Sequence, residues 1–195
     1  MRAVAVGVGI ALSVCAVGTG AEAFSVSYDQ ETTQGRQVTT GKVSMKDEMF
    51  RMDTTAEGQT MAIIHNASGT YTYMPAEGMA MKLAALNASQ RPIEHADNYP
   101  QYLQERHAER IGTETVDGHS CEVYRFTDPE IQGTVTAWVW IEKQFPIKME
   151  IDDGSAKTLV EIRNVQLGAV IPDAAFQLPA DVQVMDMGNM FPMGQ

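Results

Sequence analysis

Cysteine is almost absent: the chain of 195 residues has two. Cys15 falls in an N-terminal stretch expected to be removed, which leaves Cys121 alone and excludes an internal disulfide. Histidine is scarce as well. His65, His95, His107 and His119 are far apart, without HxxxH or paired-cysteine spacing, which argues against a zinc site. Positive charge is short, with 14 Lys and Arg against 25 Asp and Glu and a net charge of -11. Such a chain repels phosphate backbones, so nucleic-acid binding is not expected. Anionic membrane surfaces repel it too, so any lipid contact must come through apolar area. There is no Gly-rich phosphate loop and no nucleophile elbow. The acidic turns Asp152-Asp153 and Asp128-Pro129-Glu130 hold too few ligands for a calcium loop. No catalytic residue and no cofactor is expected.

The N-terminus is informative. Met1 and Arg2 form a basic start, Ala3 to Ala21 is almost uncharged, and Ala21-Glu22-Ala23 is an A-x-A ending. That layout predicts a secretory signal peptide over residues 1–23, cleaved after Ala23, and a mature periplasmic protein beginning at Phe24. A lipoprotein anchored at Cys15 fits less well, because Val14 stands where such signals place a small residue. A membrane anchor also fits less well. The run is rich in Ala, Gly and Val and broken by Gly18 and Gly20, whereas a spanning helix wants about 20 strongly apolar residues. Asn66-Ala67-Ser68 and Asn87-Ala88-Ser89 match the glycosylation triplet, which matters only in a eukaryotic host.

The remainder reads as strands and hairpins. Phe24, Val26 and Tyr28 alternate with Ser25, Ser27 and Asp29, the period of a half-buried strand. Further strands are predicted at Val38 to Met45, Met49 to Thr54, Thr60 to Ile64, Thr70 to Met74 and Met79 to Leu83. The last two flank a Pro75-to-Gly78 turn. From Ala84 to His107 the pattern becomes helical, with a short helix near Leu83 to Ser89, a break at Pro92, and a second helix capped by Asn98 with Pro100 in its first turn. Strands resume at Glu109 to Val116 and Ser120 to Thr127, joined by Asp117-Gly118, a strong hairpin signal. Thr134 to Glu142, Pro146 to Asp152 and Lys157 to Leu167 follow. Pro172 to Phe176 reads as a helical turn and Leu178 to Met185 as a last short strand. The sum is a mainly β protein, an antiparallel meander with a small helical insertion. One domain spans 24–184, and a Met-rich flexible tail spans 185–195. Cys121 sits in an alternating run as a buried small hydrophobe.

Several segments resemble a known superfamily. Ile111-Gly112-Thr113-Glu114-Thr115-Val116-Asp117-Gly118-His119-Ser120-Cys121-Glu122-Val123-Tyr124 resembles the central hairpin of LolA/LolB-like periplasmic lipoprotein carriers. Trp138-Val139-Trp140-Ile141-Glu142-Lys143 with Phe145-Pro146-Ile147-Lys148-Met149-Glu150 resembles the strand pair after it, and Ile171 to Pro179 resembles the closing segment. The resemblance implies a curved antiparallel sheet forming an incomplete β-barrel covered by helices, with an apolar cavity for acyl chains. The expected partner is then a lipid or an acylated protein, with transient contact to a membrane-bound donor or acceptor, and the chain is expected to be monomeric. The gating arginine of the well-studied carriers has no match here: Arg51 lies in a strand and Arg91 beside a proline.

The expected ligand wall comprises Tyr28, Phe50, Met52, Tyr71, Tyr73, Met79, Met81, Trp138, Trp140 and Met149. Pockets for acyl chains are mostly apolar, and Met and aromatic side chains adapt to flexible ligands. The alternative is that these residues are ordinary core. Trp138 and Trp140 share a strand face with Thr134 and Thr136, while Val135, Ala137, Val139 and Ile141 share the other. Two further functional readings stand beside the carrier. The sequence has 13 methionines, and Met185, Met187, Met190 and Met193 near its end supply thioethers suited to Cu(I). An interaction domain pairing its open sheet edge with a partner strand is the third reading.

Overall fold

The computed structural model describes residues 24–56, 58–83, 93, 95–129 and 133–186. Twelve strands form one open sheet: β1 (Ser25–Gln34), β2 (Gln37–Lys46), β3 (Met49–Ala56), β4 (Gln59–Asn66), β5 (Gly69–Met74), β6 (Met79–Leu83), β7 (Glu109–Val116), β8 (His119–Asp128), β9 (Gly133–Trp140), β10 (Phe145–Asp152), β11 (Lys157–Leu167) and β12 (Gln183–Asp186). Their order is β12-β6-β5-β4-β3-β2-β1-β11-β10-β9-β8-β7. The open sheet is consistent with an incomplete barrel.

The meander expected from the sequence is present as two runs, β1 to β6 and β7 to β11. They are joined by an antiparallel ladder between β1 and β11. The turns follow their residues. Asp117 and Gly118 both have positive φ, at 47° and 80°, as a two-residue hairpin with primed geometry requires. Two expectations need correction. The last strand is not antiparallel: β12 runs parallel to β6, and it begins at Gln183 rather than Leu178. The cover of several helices is reduced, among the described residues, to the single α-helix α1 (Tyr99–Glu105). The other expected helix, Leu83 to Ser89, lies outside the described residues except for Leu83, which ends β6.

α1 begins where its sequence dictates. The Asn98 side chain accepts a hydrogen bond from the Gln101 backbone N–H, and Pro100 occupies the first turn, where no intrahelical donor is lost. Tyr99, Tyr102 and Leu103 are buried against the sheet. The rings of Tyr102 and Phe126 meet edge to face at 5.8 Å, and the Tyr102 hydroxyl donates to Asp128 Oδ2 at 2.9 Å. The face carrying α1 is hereafter the inner face.

Cross-strand register extends that face around the sheet, because directly opposed residues share a side. Phe126 opposes Val135, which opposes Ile151. Further along, Val26 opposes Met45, which opposes Phe50. Burial of this face accounts for most of the main core.

A smaller apolar cluster lies on the outer face. Ala62, Ile64, Tyr71 and Ala80 are buried there, outside the main core, together with Phe176. The 3-10 turn Asp173–Phe176 packs on β3 and β4, matching the helical turn expected at Pro172 to Phe176. Its backbone is held by side chains from the outer face. Arg51 donates to the Ala175 carbonyl at 3.2 Å, Asn66 Nδ2 donates to the Phe176 carbonyl at 2.7 Å, and Lys46 pairs with Asp173. The segment then joins β12 through the Gln183 N–H, which donates to the Gly78 carbonyl at 3.1 Å.

Candidate functional site

Register divides the ten expected wall residues between the two faces. Tyr28, Phe50, Met52, Met79, Met81 and Met149 lie on the inner face. Tyr71, Tyr73, Trp138 and Trp140 lie on the outer one. Period-2 alternation showed which residues share a strand face but not which face is inside, and that is why the two groups were indistinguishable in sequence.

The inner group extends to further methionines. Met45 opposes Val26 and Phe50, Met61 opposes Thr54, Met74 opposes Met79, and Met185 opposes Met81. Met45 and Met52 are buried, whereas Met61, Met74, Met79, Met81 and Met149 are half-buried. The inner face is therefore graded. Under α1 it is filled by Tyr99, Tyr102 and Leu103, and toward β4, β5 and β6 it presents half-buried thioethers. Met187, Met190 and Met193 lie outside the described residues. Met185 and Asp186 are the last two residues of β12.

Polar groups on this face include Gln30, Thr54, Thr72 and Asp128, all buried, with Thr72 directly opposite Met81. The Tyr28 hydroxyl is buried beside the Ile93 backbone without a well-formed hydrogen bond, and burial raises its pKa. The Tyr99 hydroxyl reaches Met149 Sδ at 3.9 Å, a weak acceptor, and burial raises its pKa too. Both phenols therefore stay neutral at physiological pH. His65 stacks on Phe50 at 5.7 Å and its Nδ1 lies 2.7 Å from Thr70 Oγ1.

The outer tryptophans have their own partners. Trp138 is buried, its indole N–H donates to Glu114 Oε2 at 2.7 Å, and Lys148 Nζ sits 4.2 Å from its ring centroid. Trp140 stacks on His119 at 3.9 Å. The outer face also carries an open groove of about 1070 Å³, whose walls include Arg125, Thr134, Thr136, Glu150, Asp152 and Lys157. Those hydroxyls and charges do not suit an acyl chain. Among the described residues, no three His, Cys, Asp or Glu side chains are grouped so as to hold a metal ion.

With this geometry, comparison with known proteins is informative. The model of a domain of unknown function, DUF4412, matches residues 24–144. The chain belongs to the DUF4412 family. The matched span takes in both meander runs through β9 and stops before β10, so the strand that closes the sheet onto β1 lies beyond it. No curated protein matches. Among solved structures, an uncharacterized conserved protein from Thermus thermophilus superposes with a TM-score of 0.57 at 9% identity, covering 83% of this chain and 90% of that one. MucB, in its Pseudomonas aeruginosa complex with MucA, superposes with a TM-score of 0.53 at 13% identity, covering 83% of this chain. This DUF4412 chain spans 58% of MucB's length. At these identities the likeness is one of fold: the open antiparallel sheet is shared with both proteins.

Proposed function

We propose that this protein is an exported, non-catalytic carrier that binds an acyl chain, free in a lipid or attached to a protein, on the inner face of its sheet. One observation carries the reading. The register gathers Met45, Met52, Met61, Met79, Met81 and Met149 on a single face with Tyr28 and Phe50, and leaves the methionines of β4 to β6 half-buried. Flexible thioether side chains re-pack around a mobile hydrocarbon better than branched ones do. At about 25 cal/mol per Å² of apolar area, a bound chain gains several kcal/mol without a charged anchor. The chain would lie along β4 to β6. The periplasm and a cleaved signal peptide after Ala23 belong to the same reading.

The alternative of partner-strand pairing at an open edge is less well supported. β7 is an edge strand, but it carries Glu109, Arg110 and Glu114 and a register shift between Arg110 and Gly112. Charge and bulging are the devices that guard an edge against pairing.

The test is native mass spectrometry of protein purified after export, before and after organic extraction. A releasable fatty acyl or phospholipid mass is expected. A clean ligand-free mass, together with no displacement of a fluorescent fatty acid by added lipid, would overturn the reading.

A further inference from the structure

The methionines along the β5, β6 and β12 edge have a chemistry that hydrocarbon packing does not use. Met74 and Met79 are direct cross-strand partners, and so are Met81 and Met185. Met79 and Met81 are two residues apart on β6, so all four point to the inner face. Directly opposed Cβ atoms in a sheet lie about 4.5–5.5 Å apart, and the diagonal neighbours about 7–8 Å. A methionine side chain has three rotatable bonds beyond that distance, so sulfurs from three strands can meet at one point. Met74, Met79 and Met81 are half-buried and Met185 is 36% exposed, which leaves the cluster open to a small ion.

We propose that Met74, Met79, Met81 and Met185 form a Cu(I) site. Neutral, soft thioethers select Cu(I) over zinc, calcium or magnesium. The sequence pattern groups Met185 with Met187, Met190 and Met193, but the parallel pairing of β12 delivers it to Met81 instead. That assignment has a mechanical corollary. β12 is an exposed edge strand, so a metal bridging Met185 to Met81 staples it to the sheet.

The test is anaerobic titration of the metal-free protein with Cu(I) in competition with bicinchoninate. Wild type is expected to withdraw one equivalent of Cu(I). The double variant Met79→Leu/Met81→Leu should lose affinity by about tenfold or more, because half of the thioether set is gone. Its thermal melt should stay near wild type, since Leu for Met conserves volume. The tail variant Met187→Leu/Met190→Leu/Met193→Leu should bind as wild type does. Should the double variant misfold, Met185→Leu at its exposed position gives the same readout. Failure of wild type to compete, or a loss in the tail variant equal to or greater than that of the edge variants, would overturn the site. Fatty-acid displacement measured on the wild-type protein reads the lipid site independently of the Cu(I) competition, so the copper and lipid readings stand or fall separately.

Discussion

The hydroxyl of Tyr102 on α1 donates to the carboxylate of Asp128 on β8 at 2.9 Å, with both residues buried. Burial first, and the bond to Asp128 second, push the Tyr102 phenol up to about 12 from its ordinary 10.0. A folded value above the unfolded one means that the neutral phenol stabilises the fold fully below pH 10 and that this contribution is lost as pH rises toward 12. Tyr28 and Tyr99 are raised further by burial and act in the same direction. Urea midpoints should therefore fall over that window, and less steeply in Tyr102→Phe. The same variant should lose about 1.5–3 kcal/mol at neutral pH, the usual worth of a hydrogen bond to a charged group. A midpoint that stays flat through the window would contradict the assignment.

Phe176 should be the anchor of the C-terminal segment. Its side chain is fully buried and its carbonyl accepts from Asn66. Phe176→Ala should cost about 3–5 kcal/mol by the usual penalty for emptying a large aromatic site. Hydrogen exchange should report early opening of β12, measured against β2 as an internal reference. Equal protection of both strands in the variant would show that β12 holds without the anchor.

Gly41 sits inside β2 where a side chain has no room. A Cβ there would meet the Asp53 carbonyl oxygen at 2.9 Å and Thr54 Cγ2 at 2.9 Å. One obstacle is backbone, so the contact cannot relax by rotamer change. Gly41→Ala should cost about 1–3 kcal/mol, as overpacking does, against a Gly112→Ala control, whose Cβ meets nothing within 4 Å. Urea midpoints of the two variants measure the difference, and an equal loss in both would refute the steric argument.

Inner and outer faces should respond differently to ligand. Met81→Glu places a charge on the half-buried inner wall and should weaken fatty-acid binding by about tenfold or more, because a desolvated carboxylate opposes the hydrocarbon. Trp140→Ala on the outer face should leave binding unchanged. Fluorescent fatty-acid displacement measures both, and the reverse ranking would place the ligand on the other side of the sheet.

Cys121 should be inert. It is fully buried, and burial pushes its thiol up, so little thiolate exists at neutral pH. A thiol-reactive dye should label it only at the rate of unfolding. Rapid labelling of native protein would mean that the Trp138 side of the sheet opens readily.

Strands and turns were legible because their signals are local. Alternation marked Phe24 to Asp29, the Asp117-Gly118 pair set a hairpin, and Asn98 with Pro100 opened α1. What sequence left open was set by contacts far apart in the chain. The outer face of β3 and β4 is covered by the 3-10 turn Asp173–Phe176, which arrives about a hundred residues later. The parallel docking of Met185 on Met81 is likewise invisible to any local pattern. Register shifts at Ser27 to Asp29 and at Pro146 to Lys148 interrupt the alternation that would otherwise carry the inner face from strand to strand.

The ladder between β1 and β11 has a kinetic consequence. Every other antiparallel ladder joins strands consecutive in the chain, whereas this one pairs Val26 with Leu167 and Gln34 with Thr158. Hairpins close small loops quickly, and the entropy of a long closure falls on this one seam. Loop-closure entropy thus favours structure in the two meanders before the seam zips. A chain emerging N-terminus first therefore holds the β1 edge bare until β11 has been made.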